Sequence, residues 1–413
     1  MRILSLVHNH SSLHPGGTEL CAEALHRAYR RTKGVQATLL AGVDPATREG
    51  YPGTSITSDP RDSSTFFFRS PGFDTIAQSR YSLEPLLYEL AWFLDERKPD
   101  LVHVHHLNHF GVECLRLVRR ARPSAKIVFT LHDYYLICAN DGLLYTTDGR
   151  RCRTPSPDAC ARCFPEHGPA SFAARKIHIQ NHLDLVDQFV APSEFIRDRF
   201  VDWGIDRTKV TVINHGWSVN GSAKINSVRM NRFALLGNLR ETKGTSLIFS
   251  VFTELSKAGC WEDPPILEVY GAPLYQPQSF VEKLEEMVKE AGGAIQMHGA
   301  YEHTDVARLL SGSAWVLVPS LWWENAPLVV QEAFALKRPV LCSDIGGMAE
   351  FVRHKETGLH VRAGDIEAWK SAIQQTSGNQ ALWSSLSGAI QPPRTPKDMA
   401  SDYLKLFSLA EAA

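Results

Sequence analysis

Two glutamates eight positions apart, Glu324 and Glu332, mark the stretch of this chain with the most chemistry in it. Residues 315–318 read as a strand. A loop carrying Glu324 follows, and the spacing predicts a helix over 327–335, since proline suits a first helical turn. A helix N-terminus at a strand's carboxyl end gathers unsatisfied amides and the positive end of the helix dipole, so it accepts phosphate. Glu332, one to two turns inside, would repel phosphate but can accept both hydroxyls of a ribose. The division of the two acids between loop and helix suits a nucleotide sugar.

A second element is the run Gly237-Asn238-Leu239-Arg240-Glu241-Thr242-Lys243-Gly244, directly after a predicted strand at 232–236. A cation placed there stabilises negative charge developing on a leaving group. Gly16-Gly17 follows the first predicted strand, 3–7, and opens the first helix; glycine lets backbone approach a ligand closely. The third glycine of a dinucleotide fingerprint is absent. His132-Asp133 ends the strand predicted at 126–131, and His103, His105 and His106 end the one at 101–105. The carboxyl edge of an open α/β sheet faces its ligand crevice. His103 and His105 share a face and could bind metal; lining a cleft is the favoured reading for His105 and His106, with Asp133 beside them.

Cys138, Cys152, Cys160 and Cys163 fall in one irregular stretch, 138–167. Cys160 and Cys163 have the two-residue gap of a zinc knuckle; the first pair is farther apart than in a zinc ribbon. A loop of that length needs a staple, and a structural zinc held by four thiolates would supply one. Buried thiols without metal are the alternative. A catalytic zinc is not expected, because four sulfur ligands leave no open position.

The elements that must hold these residues follow from the rest of the chain. With 413 residues, it is about twice what one compact core serves, so two domains are expected. Hydrophobic residues at 44% and charged residues at 22% exclude a disordered or fibrous chain. A net charge of -1 gives no field for nucleic acid, and no nucleic-acid partner is expected. No apolar run approaches a bilayer span, and residues 1–7 are too short for a secretory core, so a cytoplasmic location is expected. Basic runs at Arg30, Arg31 and Lys33 and at Arg116, Arg119, Arg120 and Arg122 read as solvated helix faces or as a landing patch for anionic lipid at the inner face of the membrane. Short β-branched runs alternate with amphipathic stretches, which implies parallel sheets with crossover helices. Residues 42–80 resist organisation. The polar stretch 218–231 is the predicted linker. It separates a first domain, 1–217, from a second, 232–395, and a final helix over 396–413 is expected to return to the first.

Glu324, seven intervening residues and Glu332, within Trp322-Trp323-Glu324-Asn325-Ala326-Pro327-Leu328 and Glu332-Ala333-Phe334-Ala335, resemble the paired-glutamate signature of retaining glycosyltransferase family 4. Ser343-Asp344-Ile345-Gly346-Gly347 fits as well. The resemblance implies the GT-B fold: α/β, two Rossmann-like doubly wound parallel-sheet domains facing across a cleft. The second domain would bind the donor and the first the acceptor. Glu324 would lie against the donor sugar's hydroxyls, Glu332 would hold the ribose, and amides near Asn325, Ala326, Pro327 and Leu328 would meet the diphosphate, Pro327 itself lacking a donor. Lys243 matches the family lysine that neutralises the diphosphate. Asn238 stands where the family often has arginine, and Arg240 is the candidate replacement. Gly16 and Gly17 resemble the family's first glycine loop. His132 matches a histidine that touches the donor sugar; Tyr270, Gly271, His298 and Tyr301 sit where base-recognition loops would be. Glu324, Lys243 and His132 are thus the catalytic candidates, and His105, His106 and Asp133 line the expected acceptor cleft.

The implied reaction moves a hexose-type sugar from a nucleotide diphosphate sugar to a hydroxyl of a glycan or lipid-linked acceptor, as in polysaccharide biosynthesis. Configuration would be retained and no catalytic metal used. Two rivals remain: a nucleotide-sugar epimerase of the same fold, and a non-catalytic nucleotide-sugar-binding assembly protein.

Overall fold

The computed structural model describes all residues except 45–52, 70, 220–227, 260 and 410–413. The chain divides into two compact units, Met1–Gly216 with Thr395–Ala413, and Trp217–Arg394.

The first unit is built on an eight-stranded sheet. Its strands are β1 (Arg2–His8), β2 (Gln36–Val43), β3 (Ile56–Asp59) and β4 (Asp62–Arg69), then, after a small hairpin of β5 (Phe73–Asp74) and β6 (Ser79–Arg80), β7 (Leu101–Val104), β8 (Lys126–Thr130), β9 (Gln188–Ala191) and β10 (Val210–Val212). The order is β10-β9-β8-β7-β1-β2-β4-β3, parallel except for the β3–β4 pair. Strands such as β7 are buried along their whole length, as a sheet covered on both faces requires. The helix Gly17–Arg30 packs on the C-terminal helix Pro396–Leu409, where Cys21, Leu25 and Tyr29 share a core with Met399, Tyr403 and Phe407.

The part of 42–80 that sequence left unorganised forms β3 to β6. Phe66, Phe67 and Phe68 belong to β4; Phe67 and Phe68 are fully buried, and Phe68 stacks on Phe110 at 5.2 Å between ring centroids. The insertion 138–167 is not wholly irregular: it contains the helix Pro157–Cys163, capped by Ser156.

The second unit carries six parallel strands: β11 (Arg229–Leu236), β12 (Ile266–Tyr270), β13 (Ile295–Met297), β14 (Ser313–Val318), β15 (Val340–Ser343) and β16 (Gly358–Val361). Their order, β13-β12-β11-β14-β15-β16, is the Rossmann order. Chain direction across the sheet reverses between β11 and β14, and loops leaving those two strands diverge to leave a crevice. The stretch 218–231 is not linker to its end, because β11 begins at Arg229, where the Arg229 amide bonds the Gly312 carbonyl at 3.0 Å; residues 220–227 lie outside the described set. The helix expected from Pro327 starts at Leu328, with Pro327 extended (ψ 121) at the N-cap.

Candidate functional site

The loops after β11 and β14 bring Glu324 and Lys243 together. Glu324 is 5% exposed, yet a network meets its Oε1: the Lys243 ammonium pairs with it, Ser320 Oγ donates at 2.9 Å and Trp322 Nε1 donates at 2.9 Å. Lys243 Nζ also stands 5.2 Å from the centre of the Trp322 ring. A buried carboxylate is tolerable only with such partners. Gly237, Asn238, Lys243, Thr245, Ser320 and Glu324 line one pocket at the switch point of this sheet. Nearby, Arg240 has a buried Nε with no hydrogen-bond partner, a cationic donor still to be satisfied.

Glycines let these loops meet. Gly347 donates its amide to the Glu324 carbonyl at 2.6 Å, and a Cβ on it would stand 1.5 Å from the Asn325 carbonyl oxygen. Gly271 (φ 153) crosses Gly237 so closely that a Cβ would lie 1.8 Å from the Gly237 oxygen.

Glu332 is 2% exposed, on the helix Leu328–Ala335. Its Oε1 lies 3.1 Å from Nδ1 of His303, a residue that sequence gave no role. Burial, and then the Glu332 charge, push the Tyr301 hydroxyl well above its usual range. His298 stacks on Tyr270 at 4.7 Å, and its Nε2 meets Glu268 at 2.5 Å. Asn238 Oδ1 accepts from the Leu274 amide at 3.1 Å, holding the loop after β12 to the loop after β11.

In the first unit, histidines crowd the carboxyl ends of β1, β7 and β8. His132 Nε2 is 3.0 Å from His105 Nδ1, and His132 stacks on His215 at 5.1 Å. His106 Nε2 stands 3.1 Å from Asp133, and its ring lies 3.9 Å from that of His8. His105, His106, His132 and Asp133 share the wall of one small pocket with Tyr135 and Leu136. Burial holds His8, His105 and His132 well below the usual imidazole range, and the neighbouring histidines push the same way. These rings are neutral at physiological pH. The metal pair of His103 and His105 does not form: His103 Nε2 is 2.8 Å from Thr130 Oγ1, and its Nδ1 is 3.3 Å from the Tyr29 hydroxyl.

Gly16 caps the helix that Gly17 begins. Directly behind them sits Glu19, raised to about 8 by burial and then by the charges of Asp133 and Glu23, so its carboxyl holds a proton at neutral pH. Its Oε1 is 3.3 Å from His8 Nε2. Sequence gave Glu19 no task; its place in the first turn of the helix that Gly17 begins was the available signal. Ser320 and Trp322 likewise lay inside the recognised stretch. His303 carried no such signal, because the chain segment between it and Glu332 hides the contact.

The basic runs are partly spent on ion pairs: Arg30 binds Asp62 at 3.0 Å and Arg119 binds Asp187 at 2.8 Å. Among the described residues, no helix is long and apolar enough to cross a membrane.

The family model for glycosyltransferase family 4 matches residues 15–220, and the model for glycosyl transferases group 1 matches 223–387. A D-inositol 3-phosphate glycosyltransferase of Nocardioides sp. is 24% identical over 316 residues, 71% of this chain and 63% of that protein. Matches to curated relatives span between 11% and 63% of those proteins' own lengths. Among solved structures, HepE of Anabaena in complex with UDP superposes with a TM-score of 0.70 at 16% identity, covering 99% of this chain and 100% of HepE. HepE is also known with UDP-glucose. Sucrose-phosphate synthase of Thermosynechococcus elongatus gives 0.72 at 16% identity, with both chains fully covered. These likenesses show the GT-B fold, two Rossmann-like domains.

Proposed function

Because this chain belongs to glycosyltransferase family 4, we propose that it transfers a hexose-type sugar, with retention, from a nucleoside diphosphate sugar to a hydroxyl in glycan biosynthesis. The observation that carries the reading is the pocket at the β11–β14 switch point, where Lys243 and Glu324 stand together beside Gly237 and Asn238.

In this mechanism the diphosphate settles against the loop of Gly237 to Gly244 and the start of the helix Leu328–Ala335. Lys243 and Arg240 supply positive charge, and amides of the first helical turn supply donors. Glu332, aligned by His303, takes the ribose hydroxyls; Tyr270, Gly271, His298 and Tyr301 stand at the base. Glu324 accepts from hydroxyls of the sugar. The bond between the anomeric carbon and the phosphate oxygen breaks as Lys243 offsets the charge on the leaving diphosphate. The acceptor oxygen bonds the same face of that carbon, and its proton passes to the departing phosphate. His132 takes its catalytic role from the family resemblance. The acceptor is assigned to the first unit's pocket of His105, His106 and Asp133, and no catalytic metal is used.

A peripheral membrane contact fits a lipid-linked acceptor, but its best carrier is a different surface from the basic runs. Tyr88 is 73% and Trp92 61% exposed, with Tyr81, Leu83 and Leu87 exposed nearby. Tyrosine and tryptophan favour the membrane interface. Cosedimentation with liposomes that is lost in Trp92→Ala supports this contact; equal sedimentation of both proteins rules it out.

The test of the reaction is incubation with UDP-, GDP- and ADP-hexoses and a hydroxyl acceptor, read by proton NMR. The account expects a glycoside with the donor's anomeric configuration. An inverted product overturns retention, and epimerised donor without transfer favours the epimerase.

A further inference from the structure

The glycosyl-transfer reading leaves the four-cysteine insertion unexplained. Between residues 138 and 167 only one hydrophobic side chain, Leu144, is fully buried among the described residues. The helix Pro157–Cys163 buries none of its side chains. A segment of that length needs something other than a core to hold it. Its backbone is nevertheless ordered into a compact shape. Tyr145 and Arg151 bridge a tight hairpin, the Cys152 amide returns to the Leu144 carbonyl at 2.7 Å, and the Cys138 amide bonds the Tyr134 carbonyl at 2.7 Å.

This folding brings together thiols distant in sequence. Cys138, Cys152, Cys160 and Cys163 all line one small pocket, with Cys160 and Cys163 a turn apart on the same helix. None of the described cysteines is in a disulfide.

Beside them lies a buried guanidinium. Arg175 donates from Nη1 to the Leu136 carbonyl at 2.8 Å and from Nη2 to the Tyr135 carbonyl at 2.7 Å. No carboxylate is among its hydrogen-bond partners; burial disfavours its charge, and Cys138 and Cys160 are the groups whose ionisation would most favour it, ahead of Asp74. A buried cation requires compensation. Four thiolates around a divalent zinc carry a net charge of minus two, and Arg175 offsets part of it.

We propose that Cys138, Cys152, Cys160 and Cys163 bind one structural zinc ion, with Arg175 as the buried counter-charge. Binding forms four Zn–S bonds and releases the four thiol protons to solvent. The sulfurs surround their pocket more loosely than around a bound ion: among the described residues, the set with ligand atoms all within 4.8 Å is Cys21, His132 and His215. Zinc at about 2.3 Å from each sulfur would draw the four together. The competing trio is already engaged in its own contacts: the Cys21 sulfur meets His215 Nδ1 at 3.3 Å, and His132 Nε2 lies 3.0 Å from His105 Nδ1. The zinc would fix one wall of the first unit's pocket, because Tyr135 and Leu136, held by Arg175, line it.

The experiment measures metal in the full chain, purified under reducing conditions, by inductively coupled plasma mass spectrometry. The expected result is one zinc per chain, falling at least five-fold in Cys160→Ser and unchanged in Cys21→Ser. Cobalt exchanged into the native protein should give the intense visible bands of a tetrahedral thiolate site, a reading that needs no variant to fold. Metal-free native protein that also takes up no cobalt overturns the proposal, as does zinc lost in Cys21→Ser but kept in Cys160→Ser.

Discussion

The Lys243 ammonium and the Glu324 carboxylate are paired at the switch point of the second sheet, 81 residues apart in the chain. Glu324 has two further partners, Ser320 and Trp322, whereas Lys243 is the more exposed member, at 38%. A diphosphate arriving in the pocket can therefore engage Lys243 while Glu324 stays fixed by its hydrogen bonds. Lys243→Ala should lower kcat by about 100-fold or more, the usual scale for losing one electrostatic donor to a transition state. Steady-state kinetics against donor concentration checks this; a variant with native kcat would remove Lys243 from the mechanism.

Glu332 and His303 form the second coupled pair. His303→Ala leaves a carboxylate that is 2% exposed without its imidazole partner, which should cost about 1–3 kcal/mol of stability. His303→Gln, which can still donate, should recover much of that loss in urea unfolding. Identical midpoints for the two variants would count against the contact.

Gly347 is pressed against the loop carrying Glu324. Gly347→Ala would place a Cβ 1.5 Å from the Asn325 carbonyl oxygen, so the loop must move. The expected result is a collapse of donor binding together with a lower melting temperature. Gly149→Ala, at a position with nothing within 4 Å but a positive φ, should cost only about 1 kcal/mol and leave binding intact. Circular dichroism melts and calorimetric titration separate the two.

The histidine cluster makes the first unit acid-sensitive. Burial lowers His26, His109 and His215 to about 4 and His103 to about 3, and it holds His8, His105 and His132 well below the usual imidazole range. The unfolded chain takes up protons near pH 6.5 while the folded unit does not. Their contribution to stability is therefore complete above pH 6.5 and falls as pH drops toward 4, by up to about 1.4 kcal/mol per pH unit for each ring. Glu19 acts with the opposite sign: its raised value of about 8 gives stability that is present below pH 4.5 and lost as pH rises toward 8. Urea unfolding between pH 7 and 4.5 should show a steep loss, reduced by about one proton in His215→Asn. A flat profile would contradict the buried neutral cluster.

What was legible in the sequence was local. The glycine-to-lysine loop, the stretch through Glu324 and the histidines at strand ends each fall within a few consecutive residues, next to a strand whose apolar run is plain. The strands expected at 101–105 and 126–131 were readable to within one residue for that reason. β3 and β4 were not, because the phenylalanines of β4 sit among serine, aspartate, glycine and proline. β16 is four residues long and shows no alternation, being covered on both faces. Contacts made by tertiary packing, His303 on Glu332 and His215 on His132, left no trace in spacing.

The most direct test of the central claim is calorimetric titration of UDP, GDP and ADP into the native protein and into Glu332→Ala. The account predicts that one nucleotide binds selectively and that the substitution weakens it by about 10-fold or more, as loss of hydrogen bonds to a charged group should. Equal binding of the selected nucleotide by both proteins would remove Glu332 from the ribose. Absence of binding by all three at millimolar concentration would contradict the donor site itself.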